Sequence, residues 1–198
     1  MRILIIGATG TLGQPVAQQL GARHEIVAAS RSRAALPVDL SQPASLQQLF
    51  AKVGEVDAIV SVAGSARMRP LAQLSDADFQ FGLENKLMGQ VNVIRYGLPH
   101  VRHGGSITVT SGVLSHRPMP GSAAISLVNS GLEGFARAAA LEAPQGVRVN
   151  VVSPPWATET LQAYKLNLPG GRPAAEIASL YVQAVEGHAT GSVIGFPE

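Results

Sequence analysis

The sequence predicts an α/β protein: a doubly wound parallel sheet of about seven strands with helices on both faces, a three-layer sandwich, built by residues 1–198 as one domain. Three observations carry this expectation. Short apolar, β-branched runs alternate with amphipathic or alanine-rich stretches of helical length, the pattern of strands joined by helical crossovers. The first such unit, MRILIIGATGTLG at Met1–Gly13, runs from a strand straight into a glycine-rich turn. With 46% hydrophobic and 14% charged residues in 198, the chain can also bury a large core.

Ile3–Ile6 is apolar and branched enough for a strand buried on both faces. Gly7, Gly10 and Gly13 follow, and Thr11–Leu20 reads as a helix with apolar positions at Leu12, Val16, Ala17 and Leu20. Strand, glycine turn and helix form the context that a dinucleotide-binding fingerprint requires. The glycines let the backbone approach a pyrophosphate, and the helix N-terminus offers it unpaired N–H groups. Glu25–Ala29 is the second strand, followed by Ser30-Arg31-Ser32-Arg33. A short third strand lies at Leu36–Val38, before Asp39-Leu40. So few residues separate these strands that either the crossover is reduced to a turn or the third strand is a stub.

Ser41–Val53 reads as a helix with Pro43 near its start, and Asp57–Val62 as the fourth strand, closed by Ala63-Gly64. Ser75-Asp76-Ala77-Asp78 caps a long helical region reaching about Arg102. Gly105–Thr110 is the fifth strand, Gly121–Ala143 a second long helix, and Val147–Val152 the sixth strand, stopped by Pro154-Pro155. Pro173–Val185 is helical, and Ser192–Phe196 is a seventh, edge strand.

Composition narrows the function. There is no cysteine, so thiolate catalysis and disulfides are excluded. No apolar run has the length of a membrane span or the form of a signal peptide, and the cytoplasm is the default compartment. The net charge is +2 and the arginines are scattered, which argues against nucleic acid as a partner. The five histidines, His24, His100, His103, His116 and His188, lack ligand spacing, so no metal site is expected. His100 and His103 fall at the end of the first long helix, where cations suit the dipole; His116, just past strand five, is a candidate stand-in acid.

In doubly wound sheets the ligand lies beyond the carboxyl ends of the strands. That rule selects Gly7–Gly13, Arg31–Arg33, Asp39-Leu40, Ser61–Gly64, Ser111-Gly112 and Ser153–Thr158. With GATGTLG, ASRSR, VDL, SVAG, ITVTSG, NSGLEGFARAAALE and RVNVVSPP in this order, the chain resembles the short-chain dehydrogenase/reductase family over nearly its whole length. The resemblance implies a Rossmann-like fold, a nicotinamide cofactor, a carbonyl or hydroxyl small-molecule substrate, and a homodimer or homotetramer formed through the two long helices. The cofactor-binding residues it implies are Gly7, Thr9, Gly10, Thr11, Leu12 and Gly13 in the turn, Asp39 and Leu40 at the adenine edge, Ala63 and Gly64 after strand four, and Pro154 and Thr158 after strand six, with Thr160 an alternative to Thr158. Arg31 and Arg33 follow strand two without an acidic neighbour, a pattern that suits a 2′-phosphate and favours NADP(H) over NAD(H).

The family's chemistry rests on a Ser, a Tyr-x-x-x-Lys pair and an Asn. Aligned on NSGLEGF, the tyrosine position falls on Ile125, the lysine position on Asn129 and the serine position on Gly112, with Ser111 adjacent. Aligned on Gly89, the asparagine position falls on Lys86, with Asn85 beside it. The chain is thus a divergent member in which Lys86 and Asn129 look exchanged between the two helices. Facing each other, they and Ser111 are the candidate catalytic residues; Ser126 is a further hydroxyl. Trp156 is either a core anchor or a lid, and the segment up to Arg172 is a short substrate lid. Two functions fit: an NADP(H)-dependent oxidoreductase with a non-standard active site, or a catalytically silent NADP(H) sensor acting through a protein partner.

Overall fold

Residues 1–197 are described in a computed structural model of the chain. Strand β1 (Arg2–Ile6) is the third strand of a seven-stranded sheet of order β3-β2-β1-β4-β5-β6-β7. Its partners are β2 (Glu25–Ser30), β3 (Leu36–Pro37), β4 (Val56–Ser61), β5 (Val101–Thr110), β6 (Arg148–Val152) and β7 (Val193–Ile194), and every pairing is parallel. The chain winds outward through β2 and β3, then returns to place β4 on the other side of β1. The carboxyl ends of β1 and β4 therefore flank the switch point, where a doubly wound sheet opens its crevice.

Alternate strand residues feed opposite faces of the sheet. Leu4 and Ile6 join Phe50, Ile59, Ile107 and Leu132 beneath α2 (Pro43–Val53), α4 (Gly89–Gly97) and α5 (Ala123–Glu142). Ile3 and Ile5 join Val16, Leu20, Val60 and Tyr181 beneath α1 (Gly13–Gly21) and α7 (Ala174–Glu186). Two short helices, α3 (Asp76–Gly82) and α6 (Thr158–Ala163), complete the set.

The structure corrects the element boundaries where local pattern is a poor guide. Helix α1 starts two residues after the expected Thr11, because the glycine turn continues to Leu12. Between β2 and β3 no helix forms, and β3 is only two residues long, so both readings of that segment hold together. The helical region expected from Ser75 to about Arg102 is present over residues 76–100 but is not one α-helix: α3 passes into a π-helical turn at Leu83–Met88, then α4, then a 3₁₀ turn at Leu98–His100. Its capping box does form, with Ser75 Oγ accepting from the Asp78 N–H and Asp78 accepting from the Ser75 N–H. Strand β5 begins at Val101 rather than Gly105, and its register with β4 slips between Val56↔Val101 and Ala58↔Ser106. His103 therefore lies in a strand, whereas His100 is the last residue of the 3₁₀ turn, as expected, with its ring stacked on Phe50.

Helix α5 offers a stability prediction. Gly134 sits in its interior with nothing within 4 Å of an added Cβ. Gly134→Ala should stabilise the fold by ~0.5–1 kcal/mol through helix propensity, read as a higher urea midpoint at unchanged slope.

Candidate active site

Two neighbouring pockets open at the carboxyl ends of the strands. The first, about 220 Å³, is lined by Gly7, Arg31, Asp39, Leu40, Ala63 and Gly64 among others. Gly7 holds φ +92° and donates its N–H to Ala29 O at 2.8 Å, which turns the chain off β1. A Cβ on Gly13 would lie 1.9 Å from Gly7 O, so α1 begins directly against the turn. The N-terminus of α1 has no side-chain cap; the Gln14 N–H is bonded to Gly10 O at 3.0 Å and Pro15 has no N–H, so the Gly13 N–H is the first-turn donor left for a ligand. This tight, uncapped cradle fits the pyrophosphate of a dinucleotide.

The two arginines differ. Arg31 lies 3.3 Å from the Asp39 carboxylate, an acidic neighbour that the linear sequence did not place there. Burial alone would raise the Asp39 pKa, but hydrogen bonds from Ser41 and the Arg31 guanidinium hold it below the usual carboxylate range. Arg33 instead donates to Thr9 O at 3.0 Å, which sets its guanidinium over the glycine turn; among the described residues no carboxylate pairs with it.

The second pocket, about 190 Å³, shares Ala63 and Gly64 with the first, so the two are neighbours. Leu12, Lys86, Ser111, Gly112, Ile125, Asn129, Pro154, Trp156 and Thr160 are among its walls. Lys86 lies in the π-helical turn, an irregularity frequent at functional sites. Its stem rests on Gly64, where a Cβ would come within 3.0 Å of Lys86 Cγ. The ammonium donates to Ser111 O at 2.8 Å. Burial lowers its pKa to about 8, against a smaller opposing pull from Glu133. Neighbouring Asn85 turns to the first pocket and accepts from the Ser65 N–H at 2.8 Å.

Asn129 donates from Nδ2 to Gly112 O at 3.1 Å, and its Oδ1 is buried without a partner. Lys86 and Asn129 thus line the same cavity, but the expected direct pair does not form among the described residues: each grips its own carbonyl on the Ser111-Gly112 loop. Gly112 has φ +155°, and a Cβ there would lie 3.1 Å from Asn129 Nδ2, so this position has no side chain for a backbone reason. The Ser111 hydroxyl is already committed: it donates to Glu133 Oε1 at 2.7 Å.

Glu133 is the residue the sequence reading missed. It stands one helical turn beyond Asn129 and two beyond Ile125, on one face of α5. That four-residue spacing was the available signal. Ser115 Oγ donates to the same Glu133 oxygen at 2.7 Å.

The remaining candidates are sorted by position. Thr158 turns to the neighbouring loop, its N–H donating to Arg172 O, and is not among the cavity walls, whereas Thr160 is. Trp156 is a half-buried wall of the cavity. His116 does not reach this cavity; it lines a separate one of about 770 Å³, and its Nδ1 lies 3.1 Å from Ser115 Oγ. Ser126 pairs with Ser122 Oγ. Tyr181 is fully buried against Thr110 Oγ1, and burial pushes its phenol pKa up, which removes it as an acid.

A family model described as enoyl-(acyl carrier protein) reductase matches residues 13–184. The chain belongs to the short-chain dehydrogenase/reductase family. Among solved structures it is similar to the protein lin1944 from Listeria innocua, at 34% identity and a TM-score of 0.95, covering 100% of both chains. It is also similar to a small-chain dehydrogenase in complex with NADPH, at 25% identity and a TM-score of 0.88 over 99% of this chain and 96% of that one. The 2,3-dihydro-2,3-dihydroxybenzoate dehydrogenase of Escherichia coli is 34% identical over 59% of this chain and 48% of that enzyme. The aligned stretch spans about half the length of the first curated relatives matched. In this short-chain dehydrogenase/reductase, no tyrosine stands among the described residues lining the second pocket; Lys86 is its lysine.

Proposed function

We propose that the protein is an NADP(H)-dependent oxidoreductase that interconverts a small-molecule carbonyl compound and its alcohol, with Lys86 as the proton donor. The observation that carries this reading is the Lys86 ammonium on the cavity wall shared with Ile125, titrating at about 8. When bound, a nicotinamide cofactor supplies hydride to the carbonyl carbon or takes it back from the alcohol. Hydride addition leaves an alkoxide, and the Lys86 ammonium gives it a proton, becoming a neutral amine that burial favours. Solvent then restores the proton. The turn Gly7–Gly13 holds the pyrophosphate, Asp39 and Leu40 border the adenine, and Ala63, Gly64 and Pro154 line the path to the reacting end. Asn129 fixes the loop carbonyl at Gly112. No cluster of metal-binding side chains occurs among the described residues, and no helix is long and apolar enough to cross a membrane. Exposed Leu83, Met88 and Leu127 support a homodimer or homotetramer formed through the long helices; the compartment we propose is the cytoplasm.

Arg33 is the cation available to a 2′-phosphate, since Asp39 occupies Arg31. Calorimetric titration should show NADPH binding more tightly than NADH. Arg33→Ala should weaken NADPH binding roughly tenfold to a hundredfold, the scale of a lost charged hydrogen bond. Arg31→Ala should cost less, and NADH affinity should barely move. Equal losses for both dinucleotides would overturn the NADP(H) assignment. Ile125 at the tyrosine position favours a second reading, a silent NADP(H) sensor acting on a protein partner. NADPH oxidation against a panel of aldehydes and ketones separates the two: tight binding with no turnover marks the sensor.

A further inference from the structure

We propose that Glu133 is the counter-ion of Lys86 and positions it for proton transfer, the two residues gripping Ser111 from its two polar ends. This rests on Lys86 being the proton donor of the reading above. Lys86 Nζ bonds the Ser111 carbonyl at 2.8 Å, and Glu133 Oε1 accepts the Ser111 hydroxyl at 2.7 Å. Ser115 Oγ, also at 2.7 Å, holds the same carboxylate oxygen from the far side. Glu133 is 8% exposed, and a carboxylate so buried requires hydrogen bonds and a compensating cation.

The other charged groups around the π-helical turn are engaged elsewhere. Asp78 on α3 is bonded to Ser75 and faced by Arg67 and Arg69. Glu84, within the turn itself, bonds Gln80 at the surface. His116 lies one hydroxyl beyond Glu133, its Nδ1 3.1 Å from Ser115 Oγ. Glu133 is thus the carboxylate whose field reaches Lys86, acting across Ser111 without direct contact. The arrangement transfers a division of labour to new positions. A cation on the first long helix gives the proton, and a carboxylate on the second, two turns past Ile125, keeps it charged until it does.

The chain has three lysines, Lys52, Lys86 and Lys165, so the test can be read directly. Cofactor-free protein labelled with ¹³C at lysine Cε is titrated by NMR, with Lys52→Arg and Lys165→Arg assigning the signals. Lys86 should titrate near pH 8, apart from the other two. Glu133→Gln should make the Lys86 ammonium roughly a tenfold stronger acid, the scale of losing a nearby opposite charge. Glu133→Asp should shift it less in the same direction, and carries the test if the Gln variant does not fold. The pH profile of NADPH oxidation should move with the lysine signal. An unmoved Lys86 midpoint in a folded Glu133 variant overturns the pairing. A moved midpoint in a protein without turnover upholds the pairing and overturns the proton-donor reading instead.

Discussion

Lys86→Met should lower turnover by ~10²–10⁴-fold, the usual yield of a positioned acid, while NADPH affinity stays near that of the parent. Lys86 is the titratable group on the wall of the second pocket, and no tyrosine among the described residues shares that wall. Methionine keeps most of the stem packed on Gly64 but has no proton to give. Lys86→Arg keeps the charge but cannot release a proton near neutrality, so it should be nearly as slow. In the parent, carbonyl reduction should be fast below about pH 8 and fall above it, as the ammonium is lost. Stability should move the other way. The folded pKa of about 8 lies below the ordinary 10.5, so between these values the unfolded chain binds more protons and folding stability rises with pH. Steady-state kinetics across pH, with urea titrations at pH 7 and 10, check both signs. A Met variant at full rate would remove Lys86 from the mechanism.

Gly13→Ala should be the most damaging single-methyl change at the cofactor end. The new Cβ would fall 1.9 Å from Gly7 O, 2.8 Å from Gly7 C and 2.9 Å from Ala8 C. All three are backbone atoms, so no rotamer change relieves the clash and the turn itself has to move. Overpacking commonly costs 1–3 kcal/mol, and a rigid backbone clash belongs at the upper end, so a loss of about 3 kcal/mol or more is expected. The displaced turn should also lose NADPH binding. Gly10→Ala is the control: its Cβ would meet Gly7 O at 3.4 Å, an ordinary contact, so stability should change by less than 1 kcal/mol. Urea midpoints of the two variants, measured side by side, decide the matter; similar losses would mean that the turn is not sterically specified at Gly13.

The strands that build the sheet were legible because each is a short branched run with a turn signal after it. Ile3–Ile6, Asp57–Val62 and Val147–Val152 fall within a residue of the observed β1, β4 and β6. The interruption of the first long helix was not legible. A π-helical turn leaves the apolar pattern nearly intact, and Pro99 was the sole proline between Ser75 and Val101. Yet that turn faces Lys86 into one pocket and Asn85 into the other.

By itself the sequence determined the fold class, the glycine turn, the groove at the strand ends and the absence of a tyrosine near the expected catalytic position. These follow from local pattern and residue type, which survive without knowledge of neighbours. Only the tertiary structure decided which charges act together. Asp39 comes to Arg31 from across a strand, leaving Arg33 with no carboxylate among the described residues, and Glu133 comes to Ser111 from another element while Lys86 takes the opposite end. Electrostatic partnership depends on distance and burial, and in a parallel sheet both are set by residues remote in sequence.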